Sequence, residues 1–566
     1  MPPTRYAGVK STPQPVTTQT DPSMIRAAGG TGGYAFKLTP LDQLRRFLIM
    51  GVEAGTVYLG ADEIAYKNVA AVDAALAADG VKAIDLAVQV SEEGRALKNG
   101  PALYVVAAGC ASKDEAVRRA AFAAIPKVCR TGTHLLNFVA EVQELRGWGS
   151  GLQRAVGRWF ERPADSLAYQ VAKYKQRDGF SMRDLLRLVH PVPSSAAHEA
   201  IFRYVVSGAD GLGERQVKGS EKSARRDRSY PAAASKKMPG IILAMEEALK
   251  LDCEKKADRR KMADLIVEHN LSHEMLPSDA KNHSEIWEAL LPRIGSEALL
   301  RNLNKLAQLK MTPELGETTA EICQRFADGD RLRKDRLHPM RILVGMRQYA
   351  SGQGGQGSLT WEPCEQIVRA LDEAFYLSFK QAEPTGKRYM LGLDISGSMG
   401  SPIVTPQKGR GMGRPLPLSY REAAACMAMV IARSEKQWAA YGFSSSLVQL
   451  SGFSTSRIDE MDRYLNQWSH NFGSTDPGLL FQYALDKKIA VDCFVVLTDN
   501  DVNGGQHCYQ LLQKYRDKMG IAAKCMVVAM APIEVSIADP KDPGMLDTSG
   551  FDAGLLEILR NFATEQ

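Results

Sequence analysis

The sequence has no paired cysteine motif. Its nine cysteines (Cys110, Cys129, Cys253, Cys323, Cys364, Cys426, Cys493, Cys508, Cys525) are scattered, odd in number and never spaced as CxxC. That argues against a zinc cluster and a disulfide framework, and for reduced thiols in a cytoplasmic protein. No apolar run is long enough to span a bilayer, so no membrane partner is expected. The opening residues, MPPTRYAGVKSTPQPVTTQTDPS, lack the apolar segment of a secretory signal. Rich in Pro, Thr, Ser and Gln, they read as part of a disordered tail over residues 1–32. Strong charge bias is also missing: a net charge of +6 permits an anionic partner without requiring one.

What is present is ordinary soluble composition, 45% hydrophobic and 24% charged, over 566 residues, too many for one core. From about Tyr34 the chain reads as short helices separated by Gly, Pro and Asn. Thr39 is placed as an N-cap with Pro40 at the first helical position. None of these segments alternates as a strand would. Short helices joined by tight breaks predict stacked antiparallel pairs, an α-solenoid of HEAT or armadillo type. A basic stretch over residues 208–240, carrying Arg215, Lys218, Arg225, Arg226 and Arg228, is expected to be a long loop.

The texture changes at Lys387. Apolar strand candidates such as YMLGLDI, QWAAYGF, DCFVVLT and AKCMVVAMA alternate with helical segments. This predicts a mostly parallel sheet covered on both faces, in which ligands bind at the carboxyl ends of strands.

At one such end stands DISGSM, with Asp394, Ser396 and Ser398; Thr475 lies in GSTDPG and Asp499 in VVLTDND. Two carboxylates and three hydroxyls are hard donors, suited to a divalent cation, Mg²⁺ foremost, with Mn²⁺ and Ca²⁺ as alternatives. The competing reading is that Asp394 and the serines cap a helix. No nucleophile and general base stand together nearby, so no enzyme is expected. The order of the three segments resembles the metal-ion-dependent adhesion site of the von Willebrand factor A domain. That resemblance implies direct coordination by Ser396, Ser398 and either Thr475 or Asp499, with Asp394 and the remaining member acting through water. It also implies an open position for an acidic partner group.

A second constellation lies in SLAYQVAKYKQRDGFSMRDLLRLVHPVPSS, residues 166–195. The first helix is expected to run through Arg177, with Leu167, Val171 and Tyr174 on one face. Tyr169, Lys173 and Arg177 share another at four-residue spacing. The next helix starts at Ser181, with Asp184 completing a capping box. Its Leu185, Leu186 and Val189 face the core, while Arg183, Arg187 and His190 form a polar stripe. Lys and Arg neutralise phosphates, and Tyr and His stack on unpaired bases. An ordinary solvated basic face explains the same charges equally well. His190, just before Pro191, has a structural reading of its own.

KYKQR followed by DLLRLVHPVPSS, with GGYAFKLTPLDQLRRFLIMGVEAGT upstream, resembles the TROVE domain of the Ro autoantigen family. PTGKRYMLGLDISGSM and IADPKDPGMLDTSGFD resemble the same family's A domain. The likeness runs from about Gly33 to the end and implies a TROVE domain over 33–385 and an A domain over 386–566. It implies HEAT-like repeats closed into a ring by the A domain, in a monomeric scaffold with bacterial relatives. The implied partners are Y RNA, misfolded or structured RNA with single-stranded 3′ ends, and an exoribonuclease such as polynucleotide phosphorylase. The family's RNA-contacting Lys, Arg and His fall on Lys173, Arg177 and His190. Ser474 replaces a Gly common in the family. The insertion SPIVTPQKGRGMGRPLPLS, residues 401–419, is expected to be a surface loop rather than a phosphate loop, since it lacks the GK[ST] ending. A protein adaptor working through the A-domain cation is the alternative function, and a metal-dependent nuclease ranks below both.

Overall fold

The computed structural model describes residues 24–26, 34–36, 39–50, 61–96, 99–177, 179–208, 237–354, 359–379, 383–405, 414–467, 474–499, 502, 504–530, 537–549 and 555–564. The expected tail is therefore outside the described residues except for Met24–Arg26. Those three form a strand, β1, paired antiparallel with β2, Tyr34–Phe36. The first helix, Pro40–Met50, starts as its sequence dictates: Thr39 Oγ1 accepts the Asp42 N–H at 3.2 Å.

Two compact units result. One comprises residues 79–92 and 99–316; the other comprises residues 1–78, 93–98 and 317–566. The boundary near residue 79 has a local cause. Inside the helix Ala61–Glu93, Asp79 leaves helical geometry (φ −158°, ψ 84°), and its side chain accepts the Lys82 N–H at 3.1 Å. A new helical segment thus begins with its own cap.

The unit of residues 79–92 and 99–316 is built from short helices that start at side-chain caps. Asp114 accepts from Ala116 N, Thr131 from His134 N and Ser195 from His198 N. Each helix buries one stripe; in Gly132–Leu145 it includes Leu135, Leu136, Val139 and Val142. Consecutive helices pack on one another, Gly100–Ala111 against both Glu115–Val128 and Gly132–Leu145. One interruption was not foreseen: Gln176–Arg177 (β3) and Phe180–Ser181 (β4) pair as a minimal antiparallel hairpin. Of the basic stretch over 208–240, residues 209–236 lie outside the described residues.

In the other unit the helices of residues 317–377 pack on one another, and ion pairs tie them to helices that follow in the sheet-containing segment. Arg347 Nη2 reaches Glu422 Oε1 at 2.9 Å, and Arg457 Nη1 reaches Glu365 Oε1 at 2.6 Å. Arg46 of the first helix pairs with Asp547. The helical sequence segments and the compact units therefore divide the chain differently.

The sheet contains β5 (Arg388–Asp394), β8 (Gln437–Phe443), β9 (Leu447–Leu450), β10 (Cys493–Thr498), β11 (Lys524–Ala529) and β12 (Met545–Ser549). Between β5 and β8, Pro402–Thr405 (β6) and Arg414–Ser419 (β7) form a separate antiparallel pair. The insertion expected as a plain loop is thus strand at both ends; residues 406–413, which include most of GRGMGR, lie outside the described residues. Strand order is β12-β11-β10-β5-β8-β9, parallel throughout except for the edge strand β9. The chain leaves β5 to one side and returns on the other at β10. The carboxyl ends of β5 and β10 are therefore the switch point of a doubly wound sheet, where such folds open a crevice. Helices sit very close to this sheet. A Cβ on Gly392 in β5 would lie 2.8 Å from Leu480 Cδ2, so that position admits only glycine without repacking.

Among the described residues no helix is long and apolar enough to cross a membrane. All nine cysteines are free thiols.

Phe481 is 1% exposed, with its ring centroid 4.6 Å from that of Phe494 in β10. Phe481→Ala should cost about 3–5 kcal/mol in urea unfolding of the sheet-containing unit, and a loss under about 1 kcal/mol would contradict this packing.

Candidate nucleic-acid interface and metal centre

The helix Ala164–Lys173 buries Leu167, Ala168, Val171 and Ala172. It ends four residues before the expected end. Tyr174 has φ −121° and ψ 85°, and its N–H closes on Gln170 O at 3.0 Å. Gly179 marks the cause: it adopts φ +81°, the conformation a tight hairpin demands. Arg177 consequently sits in β3, paired with Phe180, and not on a helical stripe with Tyr169 and Lys173. The Arg177 side chain lies outside the described residues. Tyr174, expected on the core face with Leu167 and Val171, is only half-buried.

Lys173 and Tyr169 do come together. Lys173 Nζ is 3.4 Å from Tyr169 Oη and 5.5 Å from the ring centroids of both Tyr169 and Tyr174. Nothing in the sequence announced a further partner, Glu274, whose Oε1 is 3.5 Å from the same ammonium. The Lys173 side chain is 16% exposed. Burial works against its charge, but Tyr169, Glu274 and Tyr174 outweigh it and hold Lys173 above the usual lysine range. Glu274 shows the mirror balance: burial would raise it, and Lys173 and His273 hold it below the usual carboxylate range. His273 Nδ1 lies 3.1 Å from Glu274 Oε2. Burial above all lowers the His273 pKa, with Glu274 opposing and Lys173 reinforcing that shift.

The following helix, Met182–Val189, forms as its sequence predicts. Ser181 Oγ accepts the Asp184 N–H at 3.2 Å, and Asp184 Oδ2 accepts the Ser181 N–H at 2.9 Å. Met182, Leu185, Leu186 and Val189 are buried, while Arg183 and Arg187 are exposed and form no ion pair among the described residues. His190 caps the helix in the left-handed region, φ 49° and ψ 51°. Pro191 explains this, since the residue before proline is driven from right-handed helical geometry. His tolerates the left-handed region better than most residues. The turn leaves the imidazole exposed.

The second constellation is assembled by β-sheet register. Leu393 of β5 pairs with Leu497 of β10, so Asp394 and Thr498 end side by side. Thr498 Oγ1 donates to Asp394 Oδ2 at 2.6 Å, and the Ser396 N–H donates to Asp394 Oδ1 at 2.9 Å. Thr498 was not among the expected residues, although it directly precedes Asp499. The hydroxyls of Ser396 and Ser398 are 3.0 Å apart. Asp394, Ser396, Thr475 and Asp499 are buried, and Ser398 is 9% exposed. Asp394 caps no helix; Ser398–Gly400 is a single 3-10 turn begun at Gly397.

Burial, with Asp499 nearby, pushes the Asp394 pKa up to about 7. Two carboxylates are thus buried within electrostatic reach of each other, flanked by hydroxyls. A divalent cation fits this donor set, because it removes the repulsion that raises Asp394. Among the described residues no group of three or more His, Cys, Asp and Glu side chains could hold a metal, so the hydroxyls are indispensable to any such site.

Comparison with known proteins gives one consistent answer. Residues 27–348 match the TROVE domain and residues 388–563 match the Ro60 vWA domain. The chain is 32% identical over 559 residues to RNA-binding protein RO60 of Deinococcus radiodurans, covering 97% of each protein. It is also 32% identical over 591 residues to RNA-binding protein RO60 of Caenorhabditis elegans, covering 94% of this chain and 89% of that protein. The crystal structure of the Deinococcus radiodurans RO (RSR) protein superposes with a TM-score of 0.66 at 32% identity, covering 93% of this chain and 99% of that one.

Mg²⁺ at about 100 times its dissociation constant should stabilise the protein by about 2.7 kcal/mol. Asp499→Asn should erase that gain in thermal melts. Melting insensitive to Mg²⁺, Mn²⁺ and Ca²⁺ alike would dismiss the metal site.

Proposed function

The chain belongs to the Ro60 family of TROVE and vWA domain proteins, and on that premise we propose that it binds RNA. Its ligands would be Y RNA-like small RNAs and the single-stranded 3′ ends of misfolded or structured RNAs. The protein would act as a cytoplasmic, monomeric scaffold in RNA quality control, with no catalysis of its own. Delivery of the bound RNA to an exoribonuclease such as polynucleotide phosphorylase belongs to the same proposal.

The observation that supports RNA most directly is the solvated set Arg183, Arg187 and His190. Two guanidinium groups with no ion pair among the described residues and an exposed imidazole stand on one short helix and its cap. Exposed cations can neutralise phosphates, and binding gains affinity from the counterions that the nucleic-acid backbone then releases. The imidazole, held out by the left-handed cap, is available for stacking on an unpaired base. Lys173 contributes differently. Paired with Glu274 and lodged between Tyr169 and Tyr174, it orders the aromatic edge of the surface rather than offering an open charge.

A second reading, compatible with the first, is a protein adaptor. The buried Asp394 and Asp499 with the facing hydroxyls of Ser396 and Ser398 favour it, because a cation there could take a carboxylate from a partner. The metal would supply a Lewis-acidic anchor; these residues would bind and orient it.

The two readings separate in a filter-binding assay with a structured RNA carrying a single-stranded tail. Arg183→Gln with Arg187→Gln should weaken binding and reduce the slope of log affinity against log salt by about 1.4 to 1.8, for two lost phosphate contacts. An unchanged slope would remove these arginines from the interface. No RNA binding by the parent protein would leave the adaptor reading standing. Specific, substitution-sensitive cleavage of labelled RNA in Mg²⁺ would overturn the non-catalytic assignment.

A further inference from the structure

Beyond Lys173 the same surface continues on residues that no motif marked. The 3-10 turn His273–Met275 packs on the helix Ala164–Lys173 and delivers Glu274 to Lys173. On the other side of that turn, the His273 ring lies 6.2 Å from the Trp287 ring at a 30° tilt. Trp287 Nε1 in turn donates to the Lys281 carbonyl at 2.9 Å. The neighbouring Asn282 carbonyl oxygen of the side chain accepts from Lys305 Nζ at 2.9 Å. Lys305 stands on the helix Ser296–Gln308, one turn after Arg301.

A chain of contacts therefore links Lys173 through Glu274, His273 and Trp287 to Lys281 and Lys305, with Arg301 alongside. The charge along it is unbalanced. Glu274 is already engaged by Lys173. Lys281, Arg301 and Lys305 have no ion-pair partner among the described residues. Arg301 is exposed, and Lys281 and Lys305 are half-exposed. Arg301 and Lys305 are like charges at i, i+4, an arrangement unfavourable to a helix unless an anion lies between them. Lys281 and Arg301 also act on His273 in the same sense as Lys173, helping to keep its ring uncharged. The result is a cationic ledge bordered by a neutral imidazole and an indole.

We propose that Lys281, Arg301 and Lys305 form a second phosphate-binding station for an RNA backbone, set apart from Lys173 by the Glu274 carboxylate. This rests on the RNA-binding reading above. Three cations with no ion pair among the described residues, Lys305 meeting only the neutral side chains of Asn282 and Gln308, stand on a helix and its neighbouring turn and match a phosphodiester, which needs several donors and tolerates any base sequence. Glu274 offsets the charge of Lys173 at close range, so the backbone would be drawn past that ion pair to Lys281, Arg301 and Lys305.

The test uses the full chain and a structured RNA with a single-stranded tail, titrated at several salt concentrations. Arg301→Gln with Lys305→Gln should weaken binding at low salt and lower the salt slope by about 1.4 to 1.8. Lys256→Gln with Arg260→Gln removes the same charge from another exposed helix of the same unit and should leave the slope unchanged. Equal loss in both double variants would reduce the effect to net charge and overturn the station. So would an unchanged slope for Arg301→Gln with Lys305→Gln while the parent protein binds RNA. If that double variant melts below its parent, Lys281→Gln alone carries the test, with a slope change of about 0.7 to 0.9 expected. A parent protein that binds no RNA at any salt would remove the RNA reading itself, an outcome distinct from loss of the station alone.

Discussion

An ammonium group that keeps 16% of its side chain in water needs a counter-charge, and Lys173 finds one in Glu274. Much of the candidate RNA surface follows from that pairing. It seats the His273–Met275 turn on the helix Ala164–Lys173 and brings His273 and Trp287 into line behind it. It also divides the surface into two kinds of cation. Lys173 is fixed, half-hidden and neutralised nearby. Arg183 and Arg187 remain solvated, with no ion pair among the described residues. Solvated charges add little to fold stability, yet they are the ones open to neutralise phosphates and release the counterions condensed on the backbone. Stability and binding therefore draw on different members of what reads, in sequence, as one basic cluster.

The same physics has the opposite outcome at the sheet. Asp394 is buried without a cationic partner among the described residues. It receives a threonine hydroxyl and a backbone N–H, and its pKa still rises to about 7 with Asp499 near. Where Lys173 and Glu274 complete each other, Asp394 meets only a hydroxyl and a backbone N–H among its hydrogen-bond donors in the described residues. That deficit, more than the DxSxS spelling, is the physical case for a cation at the switch point of β5 and β10.

Legibility in the sequence followed distance along the chain. The Ser181–Asp184 capping box, the buried stripe of Met182–Val189 and the strand Arg388–Asp394 are all set by residues within a few positions of each other, and all were found. The end of the helix at Lys173 has no such local pattern, because Tyr, Lys, Gln and Arg continue a helical sequence. Gly179, with φ +81°, is the only local mark of the break. Arg177 was thereby placed on the wrong element. The strands β9 and β12 are short and lie at or near the sheet edges, where apolar patterning is weakest. The β6–β7 pair hid inside an insertion whose Gly and Pro content spoke for a loop.

Residue types and spacing alone determined the succession of helices, the change to alternating strands, and the presence of Asp394, Ser396 and Ser398 in one turn. The family resemblance was legible at the same level. Periodicity, capping and turn chemistry are short-range, so they can be read without knowing the fold. Tertiary structure alone decided that Glu274 would meet Lys173, that Thr498 would bond Asp394, and which arginines would stay in water. Ion pairing and desolvation depend on which distant segments are brought into one place, and no local pattern carries that information.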